Sequence, residues 1–286
     1  MIEGELKEYG HPLSEWIRGD RLPFVFCSGC TIGSTISCMA RAFDRVIENR
    51  NNLVVVSGIG CTGRASGYFN TGAFHTTHGR TIPFATGVKI ANPELDVVVF
   101  SGDGDIVAIG GNHLIHAARR NIGITVVCVN NFIYGMTGGQ MAPTTPKGEY
   151  LTQSTPYGNI ERTFNLVELA AASGATYVAR WTALHQVRME DSFANAILHA
   201  REFGMAFIEI VSACPTYFGK YNQMGDSIDM LKIFEDISEV VEPFTVSPGD
   251  AKSDLTKIVC GEFVKLNRAE FTHEYRRIIE ASMKGS

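Results

Sequence analysis

Val97-Val98-Val99-Phe100-Ser101-Gly102-Asp103-Gly104-Asp105 opens a stretch, residues 97–140, whose reading decides the fold. Its four leading apolar residues read as a buried strand and the glycine-rich turn closes it. A helical pattern follows, and a second apolar run over 124–129 ends in Asn130-Asn131. Asp103 and Asn131 stand 28 positions apart, each just beyond a strand. Two parallel strands joined by one crossover helix finish on the same edge, so carboxylate and amide can converge on one hard cation. The competing reading is a pair of ordinary loops, with Asp103 capping a helix and the asparagines making turns. Either half alone fits that reading; the joint pattern favours the cation site.

Working outward, the bulk properties set bounds. The chain has 286 residues, 45% hydrophobic and 19% charged, enough for one large domain or two small ones without composition-driven disorder. A net charge of −5 argues against non-specific nucleic-acid binding, which needs a basic surface to displace counterions. It leaves room for a small anion, because backbone N–H groups and a metal hold phosphate without a basic patch. Met1-Ile2-Glu3-Gly4-Glu5 lacks a signal-peptide pattern, and no run of about 18 apolar residues could span a bilayer, so a cytoplasmic protein is expected.

Taken in order, residues 1–22 read as an irregular N-terminal arm, 23–216 as the main domain and 217–286 as a loosely patterned extension with one helix near its end. Ile32, Ile36, Met39, Ala40, Phe43, Val46 and Ile47 recur at helical spacing to about residue 50. A strand over 53–56 leads into Ser57-Gly58-Ile59-Gly60-Cys61-Thr62-Gly63-Arg64, whose glycines let backbone approach a ligand. Residues 68–80, with His75, His78 and Arg80, read as a functional loop, and 82–91 as a helix. The crossover helix is expected over 106–119, with His113 and His116 as packing or surface residues. Residues 132–158 form a long loop fit for a lid or contact surface. Helix 166–173, strand 176–179, helix 192–203 and strand 207–211 complete the alternation. The fold class is therefore α/β, a mostly parallel sheet with helices on both faces.

Of seven cysteines, Cys38, Cys128 and Cys260 sit in apolar patterns and read as small core residues. Cys27, Cys30, Cys61 and Cys214 each follow an apolar run, in loops with Gly or Pro, and would share the carboxyl edge of a parallel sheet. Four thiolates there suit an iron-sulfur cluster or zinc, with unrelated structural cysteines as the competing reading; a redox-active dithiol at Cys27 and Cys30 would leave the other two without a role. On the same edge, Asp103, Asn131 and the carbonyl of Ile133 offer three oxygens, which with diphosphate and water suit Mg2+. Gly104 and Asp105 open a helix whose N–H groups would face phosphate.

Gly102-Asp103-Gly104, then 25 residues, then Asn130-Asn131, resembles the thiamine-diphosphate signature. With Cys27-Ser28-Gly29-Cys30, Gly58-Ile59-Gly60-Cys61, His75-Thr76-Thr77-His78-Gly79-Arg80, Tyr134-Gly135-Met136-Thr137-Gly138-Gly139-Gln140 and Cys214-Pro215, the chain resembles the β subunit of 2-oxoacid:ferredoxin oxidoreductases, most closely the 2-oxoglutarate type, over residues 20–220. The thiamine-diphosphate-binding fold of the diphosphate type follows from that resemblance. So do three cofactors: thiamine diphosphate, Mg2+ and one 4Fe-4S cluster. The resemblance makes Cys27, Cys30, Cys61 and Cys214 the cluster ligands and Asp103, Asn131 and Ile133 the Mg2+ ligands. Ile59, Gly60, Cys61, Thr62 and His78 would line the cofactor, while Gly102, Gly104, Asp105, Asn131, Gly135, Met136 and Thr137 would hold its diphosphate and thiazolium ends. Cys61, His78 and Arg64 become the candidate catalytic residues. Gly138 stands where relatives often carry a lysine.

The implied reaction is oxidative decarboxylation of 2-oxoglutarate with coenzyme A to succinyl-CoA and CO2, reversible, with electrons leaving through the cluster to ferredoxin. Thiamine enzymes also need a glutamate at the aminopyrimidine, and only one α/β module is legible. A partner α subunit is therefore expected to supply that glutamate and the coenzyme A site, in an (αβ)2 heterotetramer. Arg64, His75 and Arg80 are candidates for the distal carboxylate of the substrate. The alternatives are a pyruvate or branched-chain 2-oxoacid enzyme, or a non-catalytic iron-sulfur electron-transfer subunit.

Overall fold

A computed structural model describes residues 13–284. The first strands are β1 (Leu53–Ser57), β2 (Gly72–His75), β3 (Asp96–Gly102) and β4 (Thr125–Asn130), with a small hairpin, β5 (Ile133–Tyr134) and β6 (Gln140–Met141), beyond them. β7 (Tyr177–Thr182), β8 (Ala206–Val211), β9 (Ser238–Val240), β10 (Ser253–Asp254) and β11 (Lys257–Lys265) follow. The helices are α1 (Ile32–Val46), α2 (Thr81–Ala91), α3 (Gly111–Arg120), α4 (Leu166–Ser173), α5 (Gln186–Phe203), α6 (Ser227–Ile237) and α7 (Phe271–Lys284).

The main sheet runs β10-β11-β7-β8-β4-β3-β1-β2, with β9 on β11. From β2 to β7 every pairing is parallel; β11 joins β7 antiparallel. Strands β1, β4, β7 and β8 are buried along their whole length, the sign of a sheet covered on both faces. Side chains alternate between two cores. Val55, Val98, Phe100, Val127 and Ile208 pack on one face with α1 and α5; Val54, Val97, Val99, Val126 and Phe207 pack on the other with α2, α3 and α4. No helix among the described residues is long and apolar enough to cross a membrane.

The central elements lie where the sequence puts them, with ends displaced by a few residues. The first helix stops at Val46, short of residue 50, and α5 begins six residues before the expected 192. The crossover helix starts as a wide π-type segment, Gly104–Ile109, before α3. Three differences are larger. Residues 72–75, read as functional loop, form the exposed edge strand β2. The tail beyond 217 carries two helices, and β11 extends the same sheet. Residues 1–12 of the expected arm lie outside the described residues, and the remainder is anchored rather than superficial. Leu13, Trp16 and Ile17 are buried in the first core, and Trp16 Nε1 donates to Asp44 Oδ1 at 2.9 Å. Cys38, Cys128 and Cys260 are buried as expected.

Candidate active site

The chain leaves β1 toward β2 on one side and β3 toward β4 on the other, so the loops after β1 and β3 diverge and open a crevice at the carboxyl edge. A cavity of about 170 Å3 occupies it. Its wall takes Ile59, Gly60, Cys61 and Thr62 from the first loop, His78 from the loop before α2, and Gly102, Asp103, Gly104 and Asp105 from the end of β3. Asn131, Ile133, Gly135, Met136 and Thr137 close the far side, joined by Tyr134 from the head of the same motif.

Asp105 organises this cradle. Its buried carboxylate accepts from Ile59 N at 3.3 Å, His78 Nδ1 at 2.8 Å and Gly79 N at 2.7 Å on one oxygen, and from Thr81 and Ser101 hydroxyls on the other. Five donors make the charge tolerable in a dry site and draw three loops together. The bond through Nδ1 also fixes the His78 ring orientation, leaving Nε2 as the ring nitrogen free for other partners. Two glycines are obligatory here. A Cβ on Gly58 would lie 2.1 Å from Asp105 Oδ2, and one on Gly104 2.1 Å from the Tyr134 ring. The phosphate role expected of Asp105 belongs to its backbone N–H, which leaves its side chain free for this scaffold.

Asp103 is different. It is buried, and its side-chain hydroxyl partner is Thr144, from the long loop. Burial pushes its carboxyl up to about 7, against hydrogen bonds that favour the charge. A carboxylate held against desolvation beside the Asn131 amide and Ile133 is a donor set that fits a hard dication. Thr144 escaped sequence reasoning because a hydroxyl 41 positions away carries no periodic signal.

A second cavity, about 270 Å3, is lined by Cys27, Cys30, Cys61 and Cys214, with Phe26, Arg64, Met136 and Tyr217 among its other walls. It shares Cys61, Asn131, Gly135 and Met136 with the cradle. The expectation that all four cysteines follow strands is corrected for the first pair, because Phe24-Val25-Phe26 forms no strand. Tyr68 fastens that segment instead: its ring packs on Phe24 and Phe26, and its hydroxyl accepts from Val25 N at 2.8 Å. Thr31 then ties the two ends together. Thr31, next to Cys30, shares a 2.7 Å hydrogen bond with Ser212 and accepts from Ala213 N, next to Cys214.

Burial pushes the Cys30 thiol up to about 12 and Cys61 to about 11, and raises Cys214. A reactive dithiol needs the opposite shift, which argues against exchange chemistry at these thiols. Among the described residues, no three His, Cys, Asp or Glu groups converge closely enough to hold a single metal ion. The four thiols surround a cavity rather than a point, which suits a multi-iron cluster better than zinc.

The three substrate candidates separate. Arg64 lines the cysteine cavity and also a neighbouring one shared with Arg21 and His75. Arg80 faces the α2 side, where it bonds to His113. It lines neither the cradle nor the cysteine cavity.

Residues 58–210 match the family model described as thiamine pyrophosphate enzyme, C-terminal TPP binding domain. The chain is 47% identical over 271 residues to a 2-oxoglutarate synthase subunit KorB from Methanocaldococcus jannaschii, covering 94% of this chain and 98% of that one. It is 52% identical over 204 residues to the subunit of the same name from Archaeoglobus fulgidus, covering 71% and 74%. A solved 2-oxoglutarate:ferredoxin oxidoreductase from Magnetococcus marinus, with 2-oxoglutarate, coenzyme A and succinyl-CoA bound, superposes with a TM-score of 0.83 at 30% identity. That match covers 94% of this chain and 90% of the other.

Proposed function

The chain belongs to the KorB family of 2-oxoacid:ferredoxin oxidoreductase subunits, and we propose that it forms the diphosphate-binding and electron-exit half of a cytoplasmic enzyme that converts 2-oxoglutarate and coenzyme A to succinyl-CoA and CO2. The observation that carries this reading is the shared wall: one loop, ending in Cys61, lines both the cradle and the thiol cavity. When bound, thiamine diphosphate supplies the electron sink for decarboxylation and a 4Fe-4S cluster the one-electron store.

This chain's own residues bind and orient. Asp103, Asn131 and the Ile133 carbonyl hold Mg2+, and Gly102, Gly104, Gly135, Met136 and Thr137 let backbone meet the diphosphate. His78, its ring held by Asp105 through Nδ1, lines the cavity as a polar group. Cys27, Cys30, Cys61 and Cys214 hold the cluster, with backbone N–H groups of Ile32, Tyr217 and Phe218 on the sulfurs of Cys30 and Cys214. Arg64 pairs with the distal carboxylate of the substrate.

No glutamate lines the cradle among the described residues. The acid that activates the cofactor therefore comes from the α subunit, which also binds coenzyme A, in an (αβ)2 assembly that delivers electrons to ferredoxin. The test is to purify this chain with and without its partner and assay 2-oxoglutarate-dependent reduction of ferredoxin. The complex turns over and the lone chain does not; turnover by the lone chain with thiamine diphosphate and Mg2+ would refute the division of labour.

A further inference from the structure

Asn130 and Asn131 are adjacent but do different work. Asn131 lines the cradle, whereas Asn130 is buried at the end of β4 and its amide donates to Glu209 Oε1 on β8 at 2.8 Å. Glu209 is fully buried, and its other oxygen takes Arg180 Nε from β7 at 2.7 Å. Arg180, also fully buried, donates in turn to the carbonyls of Ala251, Lys252 and Val259 at 2.9, 3.1 and 3.3 Å, and to Asn165 Oδ1 at 2.7 Å. A charged pair on two neighbouring apolar strands is costly to bury, and its hydrogen bonds are what make it tolerable.

At the other end of this chain of bonds stands Phe132, with φ of +64°. A side-chain-bearing residue adopts that left-handed backbone only under steric strain, so the surroundings must impose it. Two bonds do so directly: Phe132 N donates to Asn130 Oδ1 at 3.0 Å, and Thr145 Oγ1 donates to the Phe132 carbonyl at 2.6 Å. The residues flanking the strained peptide are Asn131 and Ile133. Were Phe132 to relax to negative φ, the peptide would swing and both flanking groups would move with it.

We infer that Asn130, Glu209 and Arg180 are positioning residues: a buried relay that fixes the strained turn at Phe132, aims Asn131 and the Ile133 carbonyl, and ties their placement to the C-terminal segment 251–259. The inference rests on the proposed reading in which those two groups face the cation at the diphosphate. It gives the segment beyond residue 217 a purpose in the site although, among the described residues, none of it lines the cradle.

The test uses the purified complex with its partner subunit. Asn130→Ala keeps the Arg180–Glu209 pair and removes only the link to the turn. Asn130→Ser restores an acceptor for Phe132 N but is too short to reach Glu209. Both variants should raise the Kd of thiamine diphosphate, measured by calorimetry with Mg2+ present, about 10- to 100-fold, the range found for residues that orient metal ligands. Iron content per chain should stay unchanged, which a general loss of folding would not allow. Binding by Asn130→Ala within twofold of the unmodified complex would overturn the relay, and full recovery in Asn130→Ser would remove Glu209 and Arg180 from it. An unmodified complex that binds no thiamine diphosphate would instead overturn the functional reading, and the relay's purpose with it.

Discussion

The cradle and the thiol cavity meet at Cys61, yet they hold their polar groups in opposite ways. In the cradle, Asp105 takes five hydrogen bonds and the Asn130 amide is gripped on both sides, so the wall is assembled before any ligand arrives. Across the shared loop, the thiols of Cys30 and Cys214 receive backbone N–H groups and little else, and burial keeps them protonated. Their place is set from outside, by the Tyr68 clamp and the Thr31 bond to Ser212. The cradle is thus preorganised by its own charges, whereas the thiol cavity has loops in position but a charge state that only a bound metal would complete.

That contrast can be broken most forcefully at Cys214. In the complex, Cys214→Ser should abolish ferredoxin reduction and remove the iron, because the serine offers no thiolate. The cradle does not depend on that residue, so thiamine diphosphate affinity should stay within a few-fold of the unmodified protein by titration calorimetry. Loss of both would show that the two cavities form only together.

Asp103 sharpens the comparison from the cradle's side, because it is the one acid there held against its burial. Its folded carboxyl titrates near 7, above the ordinary value of 3.8. Between about pH 4 and 7 the unfolded chain has released a proton that the folded chain keeps. The empty protein therefore loses stability across that window, and the whole penalty is present above it. Asp103→Asn should stabilise the cofactor-free complex by about 1–3 kcal/mol at pH 8 and hardly at all at pH 4. It should also weaken Mg2+-dependent thiamine diphosphate binding on the order of 100-fold. Thermal melts at the two pH values check the first effect; equal gains at both would refute the burial account.

The smallest expected effect falls on the wall next to both cavities. Arg64→Ala should lower kcat/KM for 2-oxoglutarate about tenfold relative to pyruvate, the worth of one charge-assisted contact in a partly exposed site. Equal losses on both substrates would take Arg64 out of substrate choice.

The strands that lead into Asp103 and Asn131 were legible because short β-branched runs closed by Gly and Asn favour buried strands, and because a crossover between parallel strands returns to the same edge. The four site cysteines were legible as a set, though not for the reason the pattern suggested, since no strand precedes Cys27. β2 was missed because an edge strand exposed along its length has no apolar alternation to betray it. β11 was missed because its place depends on pairing with β7, some 80 residues earlier. Glu209 and Arg180 did leave a trace. Each is a charge inside an otherwise apolar strand, which signals a buried partner without saying which.

The sequence by itself determined the class of fold, the edge on which the cavities lie and the residue types that gather there, because periodicity, glycine placement and crossover handedness act locally. Tertiary structure alone decided which acid's side chain is engaged by several loops and which is left with a single hydroxyl partner. Asp103 and Asp105 sit two positions apart in one turn, and only the number of donors that reach each from distant loops separates them. It likewise decided that Arg64, rather than Arg80, stands at the cavities, because two arginines on successive loops differ only in the direction the folded backbone gives them.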